Sequence, residues 1–268
     1  MIRVYTLNGL IPIPGTITLM PSNHCGGQLF TNPYTRRDIR YQNWAPLLAF
    51  AQDAADKVLA EAQKPGQKIF IGHSMGAEAL CLLLRSDPDV DPDENVFVMT
   101  GNPERKYGGK VTLGAGSPAY GGIGFPDDTP FRVWDVARQY DHFADYPTSN
   151  VKAALTNIND IDSKQIHLDY SSVRIGDPGN VKIVEGNVTY ELVPTFPCPT
   201  AKRLWWGPDR EALEDRKIRP QIEAGYTRPF GTLPTPTLKR FGKAGGYDTA
   251  SRQPVTAPVG NLVWNPFA

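Results

Sequence analysis

The sequence predicts an α/β fold in which helices cover both faces of a mostly parallel sheet. Over the first 170 residues, short runs of β-branched and aromatic residues alternate with longer stretches that carry apolar residues at helical spacing. Turn-forming residues, such as Pro65-Gly66, separate these runs. In sheets of this kind, ligands and chemistry lie at the carboxyl ends of the strands.

Local patterns predict the elements in order. Apolar residues recur at helical spacing through 44–63, and Pro65-Gly66 ends that helix. The predicted strands are 2–7, 68–71, 96–100 and 131–136, and the other predicted helices are 77–85 and 148–160. Residues 16–42 and 101–124 are polar or rich in glycine, so we expect loops there.

The pattern changes after residue 180. Two β runs, 181–184 and 188–193, flank Gly186-Asn187 and predict a hairpin. A polar helix is predicted at 209–226, and the aperiodic segment from 227 onward is expected to be extended over the surface or partly disordered. We therefore expect a catalytic domain at 1–200, with a C-terminal helix and tail at 201–268 that packs on or near the core.

Composition excludes several classes of protein. Lys and Arg total 28, as do Asp and Glu, so the formal net charge is zero and no nucleic-acid partner is expected. No stretch reaches the roughly 18 apolar residues of a membrane helix, and the first residues lack the pattern of a signal peptide. The three cysteines, Cys25, Cys81 and Cys198, lie far apart and form at most one bridge, with Cys81 expected in the core. Histidines and cysteines show no zinc-ligand spacing, so we expect no metal and no cofactor.

Gly72-His73-Ser74-Met75-Gly76 matches G-x-S-x-G, in which a serine occupies a strained turn between a strand and a helix. Glycine is needed on both sides because the strand and the helix crowd each other there. The turn directs the next backbone N–H, that of Met75, toward the oxyanion of an acyl-transfer reaction. The alternative is a Gly-Ser turn without chemistry. The β run before the motif and the apolar helix after it favour Ser74 as a nucleophile.

Such a serine needs a histidine that accepts its proton. The chain has four histidines, of which His24 precedes the serine and His73 lies inside the motif. His142 lies among acidic residues. His167 lies beyond the last strand that we predict to be parallel, in the order serine, acid, histidine that accompanies this motif. Elimination therefore favours His167 over the alternative of a structural histidine.

A carboxylate must hold the imidazole, and it should follow a strand between the serine and the histidine. The segment 138–147 follows the strand at 131–136 and contains Asp141 and Asp145, whereas Asp135 is expected inside the strand. A turn carboxylate without a catalytic role is the alternative for each. Position favours Asp141 and leaves Asp145 open.

Five segments in a fixed order resemble the PE-PPE domain, a mycobacterial serine hydrolase family with a cutinase-like α/β-hydrolase core. The resemblance covers about residues 2–228. The segments are 72–76, 101–109, 139–147, His167 with Tyr170, and 187–190 with 193–195. The resemblance implies an α/β-hydrolase fold and a serine esterase in which Ser74 is the nucleophile, His167 the base and Asp141 the residue that orients the imidazole.

The resemblance also implies an oxyanion hole. The family's Gly-Gly-Thr-x-x-Pro segment corresponds to Asn8-Gly9-Leu10-Ile11-Pro12, so the backbone N–H groups of Leu10 and Met75 become the two donors. The family usually has Thr at the position of Leu10 and Gln at that of Met75. With Leu10, the hydroxyl of that Thr is lost as a donor, although the backbone donors remain. Because loss of one oxyanion donor lowers a rate by about 100-fold, we expect modest activity.

Partners and location also follow from the resemblance. PE-PPE domains usually follow a helical segment tied to secretion, whereas this chain begins at its first predicted strand. A free-standing hydrolase of this kind resembles a mycobacteriophage protein, and lysin B, the phage esterase that cuts mycolic acid from arabinogalactan, is similar in fold and chemistry. We expect ester or lipid substrates of the mycobacterial cell envelope. The protein is expected to be cytoplasmic until lysis releases it, or to be associated with the virion.

Two other functions stay open. A tail-associated structural protein of a virion would reuse the fold with weak or no activity; the departures at Leu10 and Met75 favour this, and the retained serine, aspartate and histidine oppose it. A peptidase or thioesterase would use the same three residues. Trp205-Trp206 is either a surface that contacts the acyl chain or ordinary packing. The pattern does not predict whether 201–268 covers the site.

Overall fold

In the computed structural model, helices and loops flank a central sheet. The structure describes residues 2–9, 19–41, 47–115, 124–203, 205–231, 233 and 264–267. The strands are β1 (Ile2–Leu7), β2 (Tyr34–Asp38), β3 (Lys68–His73), β4 (Asn95–Thr100), β5 (Arg132–Arg138), β6 (Val181–Glu185) and β7 (Val188–Val193). The α-helices are α1 (Leu47–Ala62), α2 (Met75–Arg85), α3 (Lys152–Ile158), α4 (Ile161–Leu168) and α5 (Pro208–Glu223). Short 3-10 helices lie at His24–Gly27 and Pro199–Ala201.

The described strands form one seven-stranded sheet in the order β2-β1-β3-β4-β5-β7-β6. Neighbouring strands run parallel except β6 and β7, which are antiparallel. The predicted mostly parallel α/β architecture is therefore confirmed. The carboxyl ends of β1, β3, β4 and β5 lie side by side, so the residues that follow these strands meet at one edge of the sheet.

Side chains alternate between the two faces of the sheet, and each face is covered. Phe70 of β3 faces α1 and α2, whereas its neighbours Ile69 and Ile71 face the opposite side. On that side lie buried residues from two loop regions, among them Cys25 and Tyr170. Burying a large apolar side chain stabilises the fold by about 1.5–3 kcal/mol, so both layers hold the sheet in place.

One strand lies in a segment predicted to be a loop. β2 pairs in parallel with β1, with Tyr34 opposite Ile2. Its sequence, Tyr-Thr-Arg-Arg-Asp, is mostly polar because β2 is the edge strand and only Tyr34 is buried. Charged residues are typical of edge strands, so no apolar run marked this one. The loop prediction for 16–42 was wrong at this strand.

The single helix predicted at 148–160 is shorter, and a second helix follows it. α3 ends at Ile158, and α4 begins at Ile161 after Asp160, whose side chain accepts a hydrogen bond from the N–H of Asp162 at 3.1 Å. An aspartate at this capping position favours a new helix start. The break matters because α4 carries His167 in its last turn.

The hairpin predicted at 181–193 is present, but it extends the same sheet. β7 pairs in parallel with β5, with Asp135 opposite Tyr190. His167 therefore precedes the last parallel strand, and our expectation that it lay beyond that strand was wrong. The apolar alternation of β7 does not distinguish a parallel neighbour from an antiparallel one, because both bury one face.

The described end of the chain packs on the sheet. The ring of Trp264 lies 5.0 Å from that of Trp134 in β5, measured between centroids. Arg132 donates to the carbonyl oxygen of Pro266 at 2.7 Å. Residues 232 and 234–263, most of the segment predicted to be extended or disordered, lie outside the described residues.

Candidate active site

Ser74 stands at the turn between β3 and α2. Its backbone has φ 52° and ψ −118°, a conformation that is strained for a residue with a side chain. Gly72 and Gly76 permit the turn, since a Cβ on Gly72 would lie 2.4 Å from the carbonyl oxygen of Gly76. A Cβ on Gly76 would lie 2.4 Å from the carbonyl oxygen of Leu7. The crowding that the motif predicts is therefore present around Ser74.

His167 lies within hydrogen-bond distance of Ser74. Its Nε2 is 2.9 Å from Ser74 Oγ, and its Nδ1 is 2.9 Å and 3.1 Å from the two carboxylate oxygens of Asp141. The imidazole is buried and reaches the serine from the last turn of α4. The serine hydroxyl, the imidazole and the carboxylate thus form one continuous hydrogen-bonded series. Such a series can accept the proton of a serine that attacks a carbonyl carbon.

Asp141 is buried and held in its ionised form. Its Oδ1 accepts from the backbone N–H groups of Phe143 at 2.8 Å and Ala144 at 3.1 Å, and its Oδ2 accepts from the hydroxyl of Tyr170 at 2.7 Å. Burial alone would raise the pKa of Asp141. The charge of His167 and these hydrogen bonds outweigh burial and lower the pKa to about 2.

Asp145, the alternative carboxylate, faces another partner. Arg228 donates to it from Nε at 2.9 Å and from Nη2 at 2.7 Å. Its Oδ2 also accepts from the backbone N–H of Tyr140 at 2.8 Å. Asp135 is paired with Arg105 inside the core. Among the described contacts, therefore, only Asp141 of the three candidate aspartates meets His167.

The other three histidines do not approach the serine hydroxyl. His142 Nδ1 lies 2.7 Å from the carbonyl oxygen of Ile158, and its Nε2 lies 2.8 Å from Lys110 Nζ. His24 and His73 both contact the hydroxyl of Thr100, at 2.9 and 3.1 Å. Of the four histidines, His167 is therefore the one with a described hydrogen-bond contact to Ser74.

Of the two expected oxyanion donors, the structure describes one. Met75 is the first residue of α2, so its N–H has no partner within the helix and lies at the positive end of the helix dipole. Leu10 lies outside the described residues. Gly9, just before it, approaches the serine closely, since a Cβ on Gly9 would lie 2.9 Å from the Cβ of Ser74.

Two residues at the site had no role in our sequence analysis. Tyr170 donates to Asp141 and accepts from the backbone N–H of Arg138 at 3.1 Å. Gly101 has φ 57°, and a Cβ there would lie 2.9 Å from Cε1 of His73 and 3.1 Å from Cε1 of His167. Both residues lie in segments that carry the family resemblance, but their contacts depend on chain segments that are distant in sequence.

Within the described part of the chain, no group of three or more His, Cys, Asp or Glu side chains is arranged to hold a metal ion. All three cysteines are buried and unbridged. Cys81 lies in the apolar core, as its apolar surroundings in the sequence predict. None of the described helices combines the length and apolar character needed to cross a membrane.

Solved structures with the same kind of fold are distant in sequence. A cutinase-like protein from Cryptococcus sp. is 16% identical, with a TM-score of 0.41, covering 64% of this chain and 86% of that one. A carboxyl esterase from a metagenome is 14% identical, with a TM-score of 0.37, covering 83% and 76%. Mouse alpha/beta hydrolase domain-containing protein 10 is 10% identical, with a TM-score of 0.35, covering 83% and 90%.

No curated protein matches the chain in sequence. A family model does. The PE-PPE domain matches residues 48–227, which is more than half of the chain and includes Ser74, Asp141 and His167. The chain therefore belongs to the PE-PPE domain family.

Proposed function

We propose that this chain is a serine hydrolase that cleaves carboxylic esters through an acyl-enzyme. The hydrogen-bonded series Ser74–His167–Asp141, with 2.9 Å at each link, is the observation that carries the proposal. Membership of the PE-PPE family supports an esterase- or lipase-type hydrolase.

In the first half of the reaction, Ser74 Oγ bonds to the ester carbonyl carbon while its proton passes to His167 Nε2. Asp141 keeps the other imidazole proton on Nδ1 and stabilises the imidazolium. Because the pKa of Asp141 is lowered to about 2, its carboxylate stays ionised at neutral pH. The tetrahedral intermediate then expels the alcohol, which takes the proton from Nε2.

In the second half, water attacks the acyl-enzyme while His167 Nε2 accepts its proton. That proton passes to Ser74 Oγ as the acid leaves, which restores the free serine. The oxyanion formed in both halves needs donors. We assign this role to the N–H groups of Met75 and Leu10, the first on its position at the start of α2 and the second on the family resemblance.

Exposed apolar side chains on and near α4, the helix that carries His167, support lipid-like esters as the substrate class. Ile161 and Leu168 lie seven residues apart on α4, so they share one face of the helix, and they are 64% and 73% exposed. Trp205, which is 78% exposed, follows the 3-10 helix that contacts α4. It therefore does not serve as core packing. Exposed apolar patches are typical of surfaces that bind apolar partners.

The biological setting is proposed on the family resemblance. We propose that the esters belong to the mycobacterial cell envelope, that the chain is phage-encoded, and that it functions like lysin B, after lysis or from the virion. Detection of the protein in purified virions by mass spectrometry would assign the virion-associated form. Its presence only in the infected-cell lysate would assign the lytic form.

The decisive experiment measures hydrolysis of p-nitrophenyl butyrate and palmitate by the wild type, Ser74→Ala and Ser22→Ala. Ser22 is an exposed serine outside the site and serves as the matched control. We expect Ser74→Ala to abolish hydrolysis and Ser22→Ala to keep the wild-type rate. The ratio of the two substrates reports acyl-chain preference.

A folded wild type that hydrolyses neither ester would contradict the proposal. Parallel assays with a thioester and a peptide anilide then test the two reactions that use the same three residues. Ser74-dependent cleavage of either one, without cleavage of esters, would replace the esterase assignment. No Ser74-dependent cleavage of any of them would favour a structural role.

A further inference from the structure

Three buried side chains form a hydrogen-bonded cluster next to His167, and the proposed reaction does not use them. They are Thr100, His24 and His73, which we call the Thr100 cluster, and they are 0%, 5% and 6% exposed. Thr100 ends β4, His73 ends β3 and His24 begins the first 3-10 helix, so three separate segments bring them together. Burying polar side chains costs free energy unless they are hydrogen-bonded, so the contacts within this cluster matter.

The protons of the cluster can be assigned. The hydroxyl of Thr100 has one proton and two lone pairs. Its oxygen lies 3.2 Å from the carbonyl oxygen of Gly72, which only accepts, and we assign the hydroxyl proton to this contact. The same oxygen lies 2.9 Å from His24 Nε2 and 3.1 Å from His73 Nδ1. With this assignment, both ring nitrogens carry a proton and donate to Thr100.

Among the described residues, Thr100 is the hydrogen-bond partner of both rings, through its hydroxyl and, for His73, also through its backbone. Each ring thus needs only the proton that it gives to Thr100, which is the neutral form. His24 is then fixed as the Nε2–H tautomer and His73 as the Nδ1–H tautomer.

Burial and the charges around the two rings also favour the neutral form of both imidazoles. Burial lowers the pKa of His24 to about 3, with Asp169 opposing this and Arg36 reinforcing it. Burial also lowers the pKa of His73 well below its usual value. His167 and His24 reinforce that effect, and the carboxylate of Asp141 and a hydrogen bond to the backbone of Thr100 oppose it. The cluster is therefore uncharged at neutral pH.

The ring of His73 packs directly against the ring of His167. Their centroids are 5.0 Å apart, and the ring planes meet at 32°. The ring of His73 also contacts that of Tyr170, with centroids 5.2 Å apart, and Tyr170 is the residue that donates to Asp141. Gly101 leaves the space that this packing requires, since a Cβ there would lie 2.9 Å from His73 and 3.1 Å from His167.

The neutral state of His73 bears on the proton transfer. His167 becomes a cation when it accepts the proton of Ser74. A charged ring 5.0 Å away would oppose this, because two like charges at that separation repel each other and water screens them little in a buried site. A neutral ring with a fixed orientation has no such effect, and it limits the movement of His167.

We propose that Thr100 and His73 are positioning residues: Thr100 holds His73 as a neutral imidazole of one tautomer, and that ring keeps His167 oriented toward Ser74. The proposal rests on the proposed esterase function for its kinetic consequences. Its statement about protonation and tautomer does not depend on catalysis.

The kinetic test compares Thr100→Val with Thr100→Ser. Valine has the shape of threonine without the hydroxyl, whereas serine keeps it. We expect Thr100→Val to lower kcat about tenfold with little change in KM, since a loosened orienting contact typically has an effect of this size. Thr100→Ser should restore most of the rate. Thr195→Val is the matched control, because Thr195 is also buried and its hydroxyl has no hydrogen-bond partner within the described part of the chain.

A spectroscopic test follows the imidazoles themselves. With four histidines in the chain, long-range ¹H–¹⁵N spectra can be assigned by single substitutions. In the wild type we expect His73 as the Nδ1–H tautomer and His24 as the Nε2–H tautomer, with neither titrating between pH 5 and 8. In Thr100→Val the His73 signal should move toward a mixture of tautomers.

The outcomes separate the two proposals. If Ser74→Ala abolishes activity but Thr100→Val keeps the wild-type kcat and spectrum, the positioning role is wrong and the esterase stands. If the wild type hydrolyses nothing, the spectra still test the tautomers. A His73 that titrates near pH 6.5, or that is protonated on Nε2 in the wild type, overturns the inference in either case. If Thr100→Val does not fold, the wild-type spectrum alone decides.

Discussion

Replacing Asp141 by Asn removes the charge that faces His167 and keeps nearly the same shape. An amide oxygen can still accept from His167 Nδ1 and from the backbone N–H groups of Phe143 and Ala144, so the loop need not rearrange. The attraction between the carboxylate and the imidazolium is lost. At about 4 Å and an effective dielectric constant near 20, this attraction is about 4 kcal/mol. The expected fall in kcat is therefore about 1000-fold.

Asp145→Asn is the matched comparison, four residues away. Asp145 is buried like Asp141, but Arg228 holds it, and the new side chain still accepts from the N–H of Tyr140. Breaking a buried ion pair destabilises a fold by about 3–5 kcal/mol. For Asp145→Asn we expect a loss of stability near the lower end of this range, because Glu223 still pairs with Arg228. The midpoint of thermal unfolding should fall by several degrees, and the rate per folded molecule should stay near the wild-type value.

Both variants are assayed with p-nitrophenyl butyrate well below their unfolding midpoints, and circular dichroism follows unfolding. We expect Asp141→Asn to be folded and nearly inactive, and Asp145→Asn to be active and less stable. The reverse pattern, with a folded and inactive Asp145→Asn beside an active Asp141→Asn, would refute the assignment of the orienting carboxylate.

Three further predictions follow from other contacts. Tyr170→Phe removes a hydrogen bond from ionised Asp141 and raises the pKa of that carboxyl group. The stability that ionised Asp141 contributes to the fold is complete above about pH 4 and is lost as the pH falls toward 2. Because the variant has less of this stability, its acid unfolding, followed by circular dichroism, should begin at a higher pH than that of the wild type. Leu168→Asp should lower hydrolysis of palmitate more than that of butyrate, whereas Val184→Asp, at another exposed apolar residue on an edge strand, should change neither. Equal loss on both esters would argue against a contact between Leu168 and the acyl chain. Gly101→Ala should lower kcat and the unfolding temperature together, because its Cβ would collide with two imidazoles; wild-type values of both would show that the rings can move apart.

The central elements of the fold are predictable because their signal is local. The apolar strands β3 and β4 and the helix α1 are bounded by turn residues and have a clear period. β2 carries no such signal, because an edge strand with Arg36 and Arg37 at its centre resembles a polar loop. The pairing of β7 with β5 depends on chain segments some fifty residues apart, and a periodic pattern specifies only which face is buried.

The candidate site divides in the same way. Ser74 follows from a five-residue motif, and His167 follows from elimination among few candidates. The choice between Asp141 and Asp145 is not local. It depends on Arg228, which lies more than eighty residues further along the chain and occupies one carboxylate. The contact of His73 with Thr100 joins residues 27 positions apart on neighbouring strands. A histidine inside the serine motif has no sequence feature that reveals this partner.

Two residues next to or within the candidate site, Ser74 and Tyr140, have a strained backbone. Ser74 has φ 52° and Tyr140 has φ 67°, and each such conformation costs about 1–3 kcal/mol unless the surroundings hold it. Tyr140 is held through its N–H by Asp145 and through its hydroxyl by Glu223 at 2.6 Å. It also immediately precedes Asp141. Asp145 thus fixes the strained residue that presents the orienting carboxylate, which explains why two aspartates in one segment look equivalent in sequence but have different partners.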